Sequence, residues 1–474
     1  GAPYSALWYQ RRVRGTAKMQ NKFRRYVPIA KNNYDKVKST QQPTNLVQQQ
    51  TYKGPNLKLG TAYQTPNRHK PLSLTQNGSG QQQVKNMLSP LYVLQNAAHA
   101  LLDYEKEEIM KFETIYYYGQ RANKCYDVMQ PNFGFDDKEG DFNPVVADHV
   151  GYRYELQKLL GQGSFGKVYR AFDHKHKRVV ALKVLKNRKK FRKQGFIEIQ
   201  LLEKLRHHDA ENANCCITLL NRGEFRSHLF MVFDMLSMDL YAYLAKYDLK
   251  GLPMSTVKDF AVQCTKALSY SFSLNIIHAD IKPENILLER ESSTNIQVID
   301  WGSGAMVGQT IYQYIQSRFY RAPEVILGMP YSIEIDTWSM GCVFYELFTG
   351  QPIFQGENEF DQIGKICEVL GYPPRQMLEK APRKREFFWD AGSDAVRLRT
   401  NHKVGSRRLT DLLKSAGRDF IEVVQKMLQW EPEQRISMEE LQKQRFFEDG
   451  NVKAKVEETV AGQSTQNFSD QTLK

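Results

Sequence analysis

The sequence has little that would place it in a membrane or outside the cell. No apolar run approaches the roughly 18 residues that a membrane-spanning helix needs. The chain does not open on the basic and then apolar pattern of a secretory signal. Its six cysteines show neither CxxC spacing nor the Cys/His spacing of a metal site. We therefore expect a soluble intracellular protein with free, buried thiols.

Acidic residues are nearly absent from the first 85 positions. Residues 1–85 contain 15 Lys and Arg residues but a single acid, Asp35, so this tail accounts for the whole net charge of +14. It is also rich in Gln and Asn and poor in apolar clusters, which predicts disorder. A basic tail can bind acidic proteins, nucleic acid or anionic membranes, or it can simply be solvated. The sequence leaves these alternatives open.

The rest of the chain can build a large core, since the sequence is 41% hydrophobic and 12% aromatic. Residues 86–153 predict two short helices, one over 94–102 and one from Asp103 through Phe112, followed by an acidic loop near Asp136. This region is too short to form a strong domain, and we expect it to pack on the strands that come after it in the chain. The polar residues 447–474 predict a flexible tail.

Strand patterns begin at Tyr154 and continue through Leu185. A helical pattern carrying Phe196, Ile199 and Leu202 follows, and helices dominate from Leu240 onwards. The sequence therefore predicts an α+β protein with a small β-rich lobe over 154–236 and a larger α-helical lobe over 237–446.

A glycine-rich segment, Gly161-Gln-Gly163-Ser-Phe-Gly166-Lys-Val168, lies between two strand patterns. Glycines let backbone amides approach phosphate oxygens without interference from a Cβ atom. A dinucleotide-binding fold would need a helix after this loop, and the strand that follows argues against that fold.

Lys183 lies one strand later, where a cation could neutralise phosphate charge. Glu198, fifteen residues on and within an apolar helical pattern, is its expected ion-pair partner.

A second constellation begins at His278, in the segment His278-Ala-Asp280-Ile-Lys282-Pro-Glu-Asn285. A carboxylate at Asp280 can accept the proton of an acceptor hydroxyl, and Lys282 can stabilise a transferring phosphoryl group. Asn285 and, fifteen residues after it, Asp300 offer oxygen ligands of the kind that Mg²⁺ prefers. Gly302 gives the chain after Asp300 the freedom of a switchable loop.

Together these motifs resemble those of eukaryotic protein kinases, over about residues 154–446. The segment Ala322-Pro323-Glu324 resembles the end of a kinase activation segment, and Asp336 resembles the residue that braces the catalytic loop. Arg435 resembles the arginine that pairs with the acid at Glu324. The resemblance implies structural, not catalytic, roles for these three charged residues.

The subfamily that the chain resembles is the dual-specificity tyrosine-regulated (DYRK) kinases of the CMGC group. The segment Tyr312-Gln-Tyr314-Ile-Gln-Ser-Arg318-Phe-Tyr-Arg321 is similar to the DYRK activation segment, and residues 148–154 are similar to the DYRK homology box. Residues 104–119 and 132–137 resemble the accessory region of class II members.

This resemblance implies transfer of the ATP γ-phosphoryl group to serine and threonine of protein substrates, with autophosphorylation at Tyr314. It implies Mg²⁺, or alternatively Mn²⁺, as metal, and substrates that are proline-directed with a nearby arginine. A phosphate on Tyr314 needs cationic partners, for which Arg318 and Arg321 are the candidates. The resemblance also implies a monomer in the cytoplasm, with the nucleus as an alternative because of basic clusters such as Arg11-Arg12-Val-Arg14.

The ATP site that the resemblance implies combines the glycine-rich segment, the Lys183 strand and a hinge, with Phe233 behind the adenine. Its residues are Gly161, Gln162, Gly163, Ser164, Phe165, Gly166, Val168, Ala181, Lys183, Phe233, Asp234, Met235 and Leu236.

Two positions depart from the common kinase pattern. Ala279 stands where many kinases have an arginine that grips a phosphothreonine, and Trp301 stands where phenylalanine is usual. The first favours control through Tyr314, and the second changes packing under the regulatory helix without removing a ligand. A pseudokinase scaffold and a nucleic-acid-binding protein that acts through its basic tail are the competing hypotheses.

Overall fold

The computed structural model describes residues 87–124, 126–209, 211–309, 312–390 and 396–448. The predicted basic tail, Cys125 and all but the first two residues of the predicted C-terminal tail lie outside this part of the chain. The other five cysteines are free thiols, of which Cys215 is half-buried and the rest are buried. Among the described residues, no helix is both long and apolar enough to cross a membrane.

The small lobe is built on a six-stranded antiparallel sheet in the order β1-β2-β3-β4-β6-β5. Its strands are β1 His149–Val150, β2 Tyr154–Gln162, β3 Gly166–Asp173, β4 Arg178–Leu185, β5 Asn221–Phe225 and β6 His228–Asp234. Because side chains alternate along a strand, Val180, Leu182 and Val184 share one face of β4, while Ala181 and Lys183 share the other. The first face is buried in an apolar core and the second faces the larger lobe.

The segment before the kinase-like body covers that apolar face. It contains helices α1 Pro90–Ala97 and α2 Asp103–Glu108, and the Ser89 side chain caps α1 by accepting from the amide of Tyr92. Val93, Leu101 and Ile115 join the core of the sheet. The predicted packing of this accessory segment on the N-lobe is thus confirmed. The second helix is shorter than predicted, because a 3-10 turn over Ile109–Lys111 replaces its last turn.

A buried charged cluster ties the accessory segment to the sheet. Glu105 accepts from Lys124 Nζ at 2.6 Å and from Arg226 Nη2 at 2.9 Å, and its Oε1 lies 3.1 Å from Nε2 of His149. Burial opposes the charge of Glu105, but its hydrogen bonds to His149 and Lys124 lower its pKa to about 2. Asp148 brings a third possible metal ligand close to Glu105 and His149. The cations of Lys124 and Arg226 already neutralise this cluster.

Helices dominate the larger lobe, as predicted, and the long helix α3 contacts both the sheet and that lobe. The helices are α3 Lys189–His208, α4 Leu240–Ala245, α5 Met254–Ser273, α6 Pro323–Ile326, α7 Glu334–Thr349, α8 Glu359–Leu370, α9 Arg375–Lys380, α10 Lys384–Phe387, α11 Leu409–Leu412, α12 Arg418–Met427, α13 Met438–Gln442 and α14 Arg445–Glu448. Helix α7 is almost entirely buried and forms the centre of this lobe.

Two short antiparallel strand pairs flank the candidate catalytic segments 278–285 and 300–302, and a third pair lies later in the chain. The strands are β7 Ile276–Ile277, β8 Ile286–Leu288, β9 Ile296–Val298, β10 Ala305–Met306, β11 Phe388–Asp390 and β12 Val396–Leu398, paired as β7–β10, β8–β9 and β11–β12. The β8–β9 hairpin begins directly after Asn285 and ends two residues before Asp300. It therefore brings these two predicted metal ligands to the same end of the hairpin.

Candidate active site

The register of the sheet aligns the predicted nucleotide-binding residues. Gly161 lies opposite Val168, and Val168 lies opposite Lys183. Ala181, two residues before Lys183 and on the same face of the sheet, lies opposite Phe233 at the end of β6. Sequence spacing could not supply the pairing of Gly161 with Val168, because the register of β2 against β3 shifts at two places before Gly161.

The glycine-rich segment has the open backbone that a phosphate group requires. A Cβ atom added to Gly161 or Gly163 would meet no heavy atom within 4 Å among the described residues. Gly166 is needed for a different reason, since a Cβ there would lie 2.1 Å from the carbonyl oxygen of Val184. The amide of Gly163 donates to the carbonyl of Gly166 at 2.9 Å and closes the turn. The backbone at Gly161 and Gly163 is therefore open to an approaching group, and phosphate binding by this segment stays a prediction.

Lys183 joins three elements of the site. Its Nζ donates to Glu198 Oε1 on α3 at 2.6 Å and to Asp300 Oδ1 at 2.8 Å. Burial works against the charge of Lys183, yet the two carboxylates raise its pKa. Burial likewise opposes the charge of Asp300, but Lys183 lowers the pKa of that carboxyl to about 2. Lys183 is therefore a cation held between two carboxyl groups, one on the helix and one on the loop.

The predicted catalytic loop, residues 278–285, is hydrogen-bonded to Asp336 on α7. The amides of His278 and Ala279 donate to its two carboxylate oxygens at 2.6 and 2.9 Å. Burial raises the pKa of Asp336 to about 7, although these two amides favour its ionised form. Ala279 has a φ of 61°, a left-handed conformation that these bonds help to hold. The two bonds join α7 to the segment that carries Asp280, and the structural role of Asp336 stays a prediction.

The ring of His278 links the catalytic loop to the loop that carries Asp300. Its Nε2 lies 2.9 Å from the carbonyl oxygen of Ile299, and its Nδ1 accepts from the amide of Asp280 at 3.2 Å. Because a carbonyl only accepts, Nε2 carries the ring proton. Burial lowers the pKa of His278, which favours this neutral tautomer.

Asp280, Lys282 and Asn285 converge as predicted from their spacing. Lys282 Nζ donates to Asp280 Oδ2 at 2.5 Å, and Asn285 Nδ2 donates to the Asp280 carbonyl at 2.9 Å and to Oδ2 at 3.2 Å. Since the Asn285 nitrogen is a donor here, its Oδ1 is the atom that suits a metal ion. Asp300, whose side chain is 34% exposed, carries the other predicted metal ligand, and the amide of the preceding Ile299 donates to the carbonyl of Asn285 at 2.9 Å.

Sequence reasoning missed Ser317, which contacts the same carboxylate. Its hydroxyl donates to Asp280 Oδ1 at 2.8 Å, its amide donates to the same oxygen at 3.1 Å, and Lys282 Nζ lies 3.2 Å from the hydroxyl. Ser317 is 37 residues from Asp280 and follows the two tyrosines of the activation segment. A serine between Gln316 and Arg318 carries no spacing signal for this role, so only the fold identifies it.

Trp301 lies fully buried beneath α3, with its ring 4.6 Å from that of His278. Its Nε1 has no hydrogen-bond partner among the residues that the structure describes. The tryptophan at this position therefore has one buried polar hydrogen that phenylalanine would not have.

The activation segment exposes Tyr314, whose relative exposure is 66%. The guanidinium of Arg321 lies 4.0 Å from the centre of the Tyr314 ring and is itself paired with Glu359 at 3.0 Å. Nη1 of Arg318 donates to the carbonyl oxygen of Glu357 at 2.7 Å. Of the two predicted phosphotyrosine partners, Arg321 is thus the one that contacts Tyr314 in this structure.

Glu324 and Arg435 form a buried two-point ion pair, with N–O distances of 2.6 and 2.7 Å. The guanidinium also donates to the carbonyls of Gln429 and Glu334 at 2.9 and 3.0 Å. The pair therefore joins the end of the predicted activation segment to the residues just before α13.

Comparisons with known proteins agree with this geometry. A model of the protein kinase domain matches residues 154–447. Dual specificity tyrosine-phosphorylation-regulated kinase 2 of Drosophila melanogaster is 40% identical over 381 residues, which are 78% of this chain and 52% of that protein. Dual specificity tyrosine-phosphorylation-regulated kinase 3 of Mus musculus is 40% identical over 372 residues, which are 74% of this chain and 64% of that protein.

A third relative is the probable serine/threonine-protein kinase dyrk2 of Dictyostelium discoideum. It is 39% identical over 359 residues, which are 75% of this chain and 39% of that protein. The chain spans about half the length of the curated relatives it matches. Since the kinase model covers more than half of the chain and its relatives carry DYRK names, the chain belongs to the protein kinase family, within the DYRK group.

Proposed function

We propose that the protein is a dual-specificity kinase that transfers the ATP γ-phosphoryl group to serine and threonine of protein substrates and phosphorylates its own Tyr314. One observation carries this proposal. Lys183 contacts Glu198 and Asp300 at once, and Asp280, Lys282 and Asn285 contact one another. A pseudokinase scaffold without activity would need neither the contacts of Lys183 nor those among Asp280, Lys282 and Asn285.

ATP is the first substrate in this proposal. Val168 and Ala181 share the face of the sheet that carries Lys183 and would cover the adenine, while the backbone of Asp234, Met235 and Leu236 would bond its edge. The amides of Ser164 and Phe165, in the turn that the Gly163 amide closes, would receive the phosphates. Lys183 would neutralise phosphate charge, held in place by Glu198.

The metal site of the proposal consists of Asn285 and Asp300, which fit a hard cation because both offer oxygen. Mg²⁺, or alternatively Mn²⁺, neutralises phosphate charge when bound there. Asp280 would accept the proton of the acceptor hydroxyl. The amide and hydroxyl of Ser317 hold Asp280 Oδ1, which leaves the carboxylate in a defined orientation, and Lys282 would stabilise the transferring group.

The shape of the chain next to the acceptor position supports a preference for proline after the phosphorylated residue. Gln316 has a φ of 64°, and its carbonyl accepts from Arg321 Nη2 at 2.8 Å and Nε at 3.3 Å. That carbonyl is therefore already engaged and is a poor acceptor for a substrate amide. Proline has no amide hydrogen, so a proline after the phosphorylated residue leaves no donor without an acceptor at this position.

We expect a Ser-Pro peptide to be phosphorylated with a kcat/KM about tenfold or more above its Ser-Ala counterpart, since an unpaired amide costs about 1–3 kcal/mol. Initial rates on matched peptides test this. A Ser-(N-methyl)Ala peptide is the matched control, because it also lacks the amide hydrogen and should recover part of the rate. Equal rates for all three peptides would count against the role of Gln316.

A nearby arginine in the substrate would form an ion pair with the carboxylates of Asp239 and Glu284. Burial raises the pKa of Asp239, and the negative charge of Glu284 raises it further. A substrate guanidinium would relieve this repulsion.

We expect the protein, expressed alone in a host without related kinases, to carry one phosphate on Tyr314. The exposed phenol is open to modification, and a phosphate there would gain charge-assisted bonds from Arg321. Intact mass and peptide mapping measure this. The Asp280→Asn protein, expressed in the same way, should lack the phosphate. An active preparation with unmodified Tyr314 would refute self-activation.

A further inference from the structure

The other tyrosine of the activation segment, Tyr312, makes a contact that Tyr314 does not. Its hydroxyl lies 2.9 Å from Oε1 of Gln194, a buried glutamine on α3 with 4% relative exposure. Nε2 of the same glutamine donates to the carbonyl of Gly302 at 2.6 Å. Gln194 therefore bridges the activation segment and the loop that carries Asp300.

These two hydrogen bonds form a relay from Tyr312 through Gln194 to Gly302. The direction of each bond follows from hydrogen-bond chemistry. The Gly302 carbonyl can only accept, so the nitrogen of the Gln194 amide must face it and the oxygen must face Tyr312. The Tyr312 hydroxyl is consequently the donor. The hydroxyl of Tyr331 donates to the Tyr312 carbonyl at 2.8 Å, which anchors the backbone at the start of the relay.

Gln194 and Glu198 lie one turn apart on α3 and face the same loop. Glu198 reaches that loop through Lys183 and Asp300, and Gln194 reaches it through Gly302. The space is tight, since a Cβ on Gly302 would lie 3.1 Å from Glu198 Oε2. A shift of α3 away from this loop would therefore break both contacts together.

We propose that Tyr312 is a positioning residue whose unmodified hydroxyl, through Gln194, holds α3 where Glu198 can pair with Lys183. This inference rests on the proposed kinase function and adds that the two tyrosines have different tasks. A phosphate ester has no hydroxyl hydrogen to give to Gln194. Modification of Tyr312 would therefore break the relay, as Tyr312→Phe does.

The test compares Tyr312→Phe, Gln194→Met and their double variant with wild type, each mapped for phosphate on Tyr314. A hydrogen bond of typical net strength predicts a fall in kcat of about 5- to 10-fold for either single variant, with little change in peptide KM. The double variant should be no slower than the slower single variant. Tyr372→Phe, at an exposed tyrosine beyond α8, is the matched control and should match wild type.

Hydrogen exchange supplies a readout that general destabilisation would not reproduce. In Tyr312→Phe, peptides from α3 and residues 300–304 should exchange faster, while those from α7 keep the wild-type rate. An unchanged kcat, or losses that simply multiply in the double variant, would overturn the inference. If Tyr312→Phe does not fold, Tyr331→Phe decides instead, with the same local exchange expected. Failure of the kinase proposal is distinguishable, because wild type itself would then transfer no phosphate.

Discussion

Replacing Asp280 by asparagine is expected to lower the rate of ATP-dependent peptide phosphorylation by about 10²- to 10⁴-fold, the range for loss of a general base. The carboxylate accepts from Lys282 and Asn285 through Oδ2 and from Ser317 through Oδ1. An amide in its place cannot take a proton, and its nitrogen would face at least one of these donors. Initial rates at saturating ATP measure the loss.

The fold of this variant should survive, because asparagine has nearly the same size as aspartate. Thermal unfolding of the two proteins checks this point. Asp248→Asn makes the same chemical change at an exposed position whose side chain is 79% accessible, and it should keep the wild-type rate. If Asp280→Asn were as active as wild type, the phosphorylation measured would not depend on this site.

Arg435→Leu is expected to lower the free energy of unfolding by about 3–5 kcal/mol, the range for removing one partner of a buried ion pair. The substitution leaves the Glu324 carboxylate buried without its cation and removes donors from the carbonyls of Gln429 and Glu334. Urea denaturation followed by tryptophan fluorescence measures the change, since Arg435 lies 5.1 Å from the ring centre of Trp338.

Lys443→Met is the matched control for this loss. It also breaks an ion pair, with Glu439 at 2.8 Å, but both side chains are largely exposed, so the unfolding midpoint should stay at the wild-type value. A similar midpoint for Arg435→Leu and Lys443→Met would show that the pair of Glu324 with Arg435 does not hold the lobe.

Much of the candidate site could be predicted because its residues lie in short segments with fixed spacing. Asp280, Lys282 and Asn285 are five residues apart at most, so local chain geometry brings them together. The pairing of Lys183 with Glu198 followed from one strand and one helix in succession, each with a readable apolar pattern. Ser317 and Gln194 gave no such signal, because their partners are 37 and 108 residues away.

The accessory segment, too, could be predicted from the sequence only in part. Its apolar residues indicated packing, but the charged cluster around Glu105 and Arg226 joins positions 121 residues apart and had no local signature. The end of α2 was also misplaced, because the final turn changes to a 3-10 form where Ile109 is buried in the core. Tertiary packing decides such helix ends more than helix propensity does.

The sequence by itself determined the order of the motifs, the two-lobed α+β class and the family resemblance, since strand and helix periodicity and motif spacing are local properties of the chain. The tertiary structure alone decided which face of β4 carries Lys183 into the cleft, that Ser317 holds Asp280, and that Tyr312 reaches α3 through Gln194. These contacts arise only when distant segments are buried together, where each polar group must find a partner away from water.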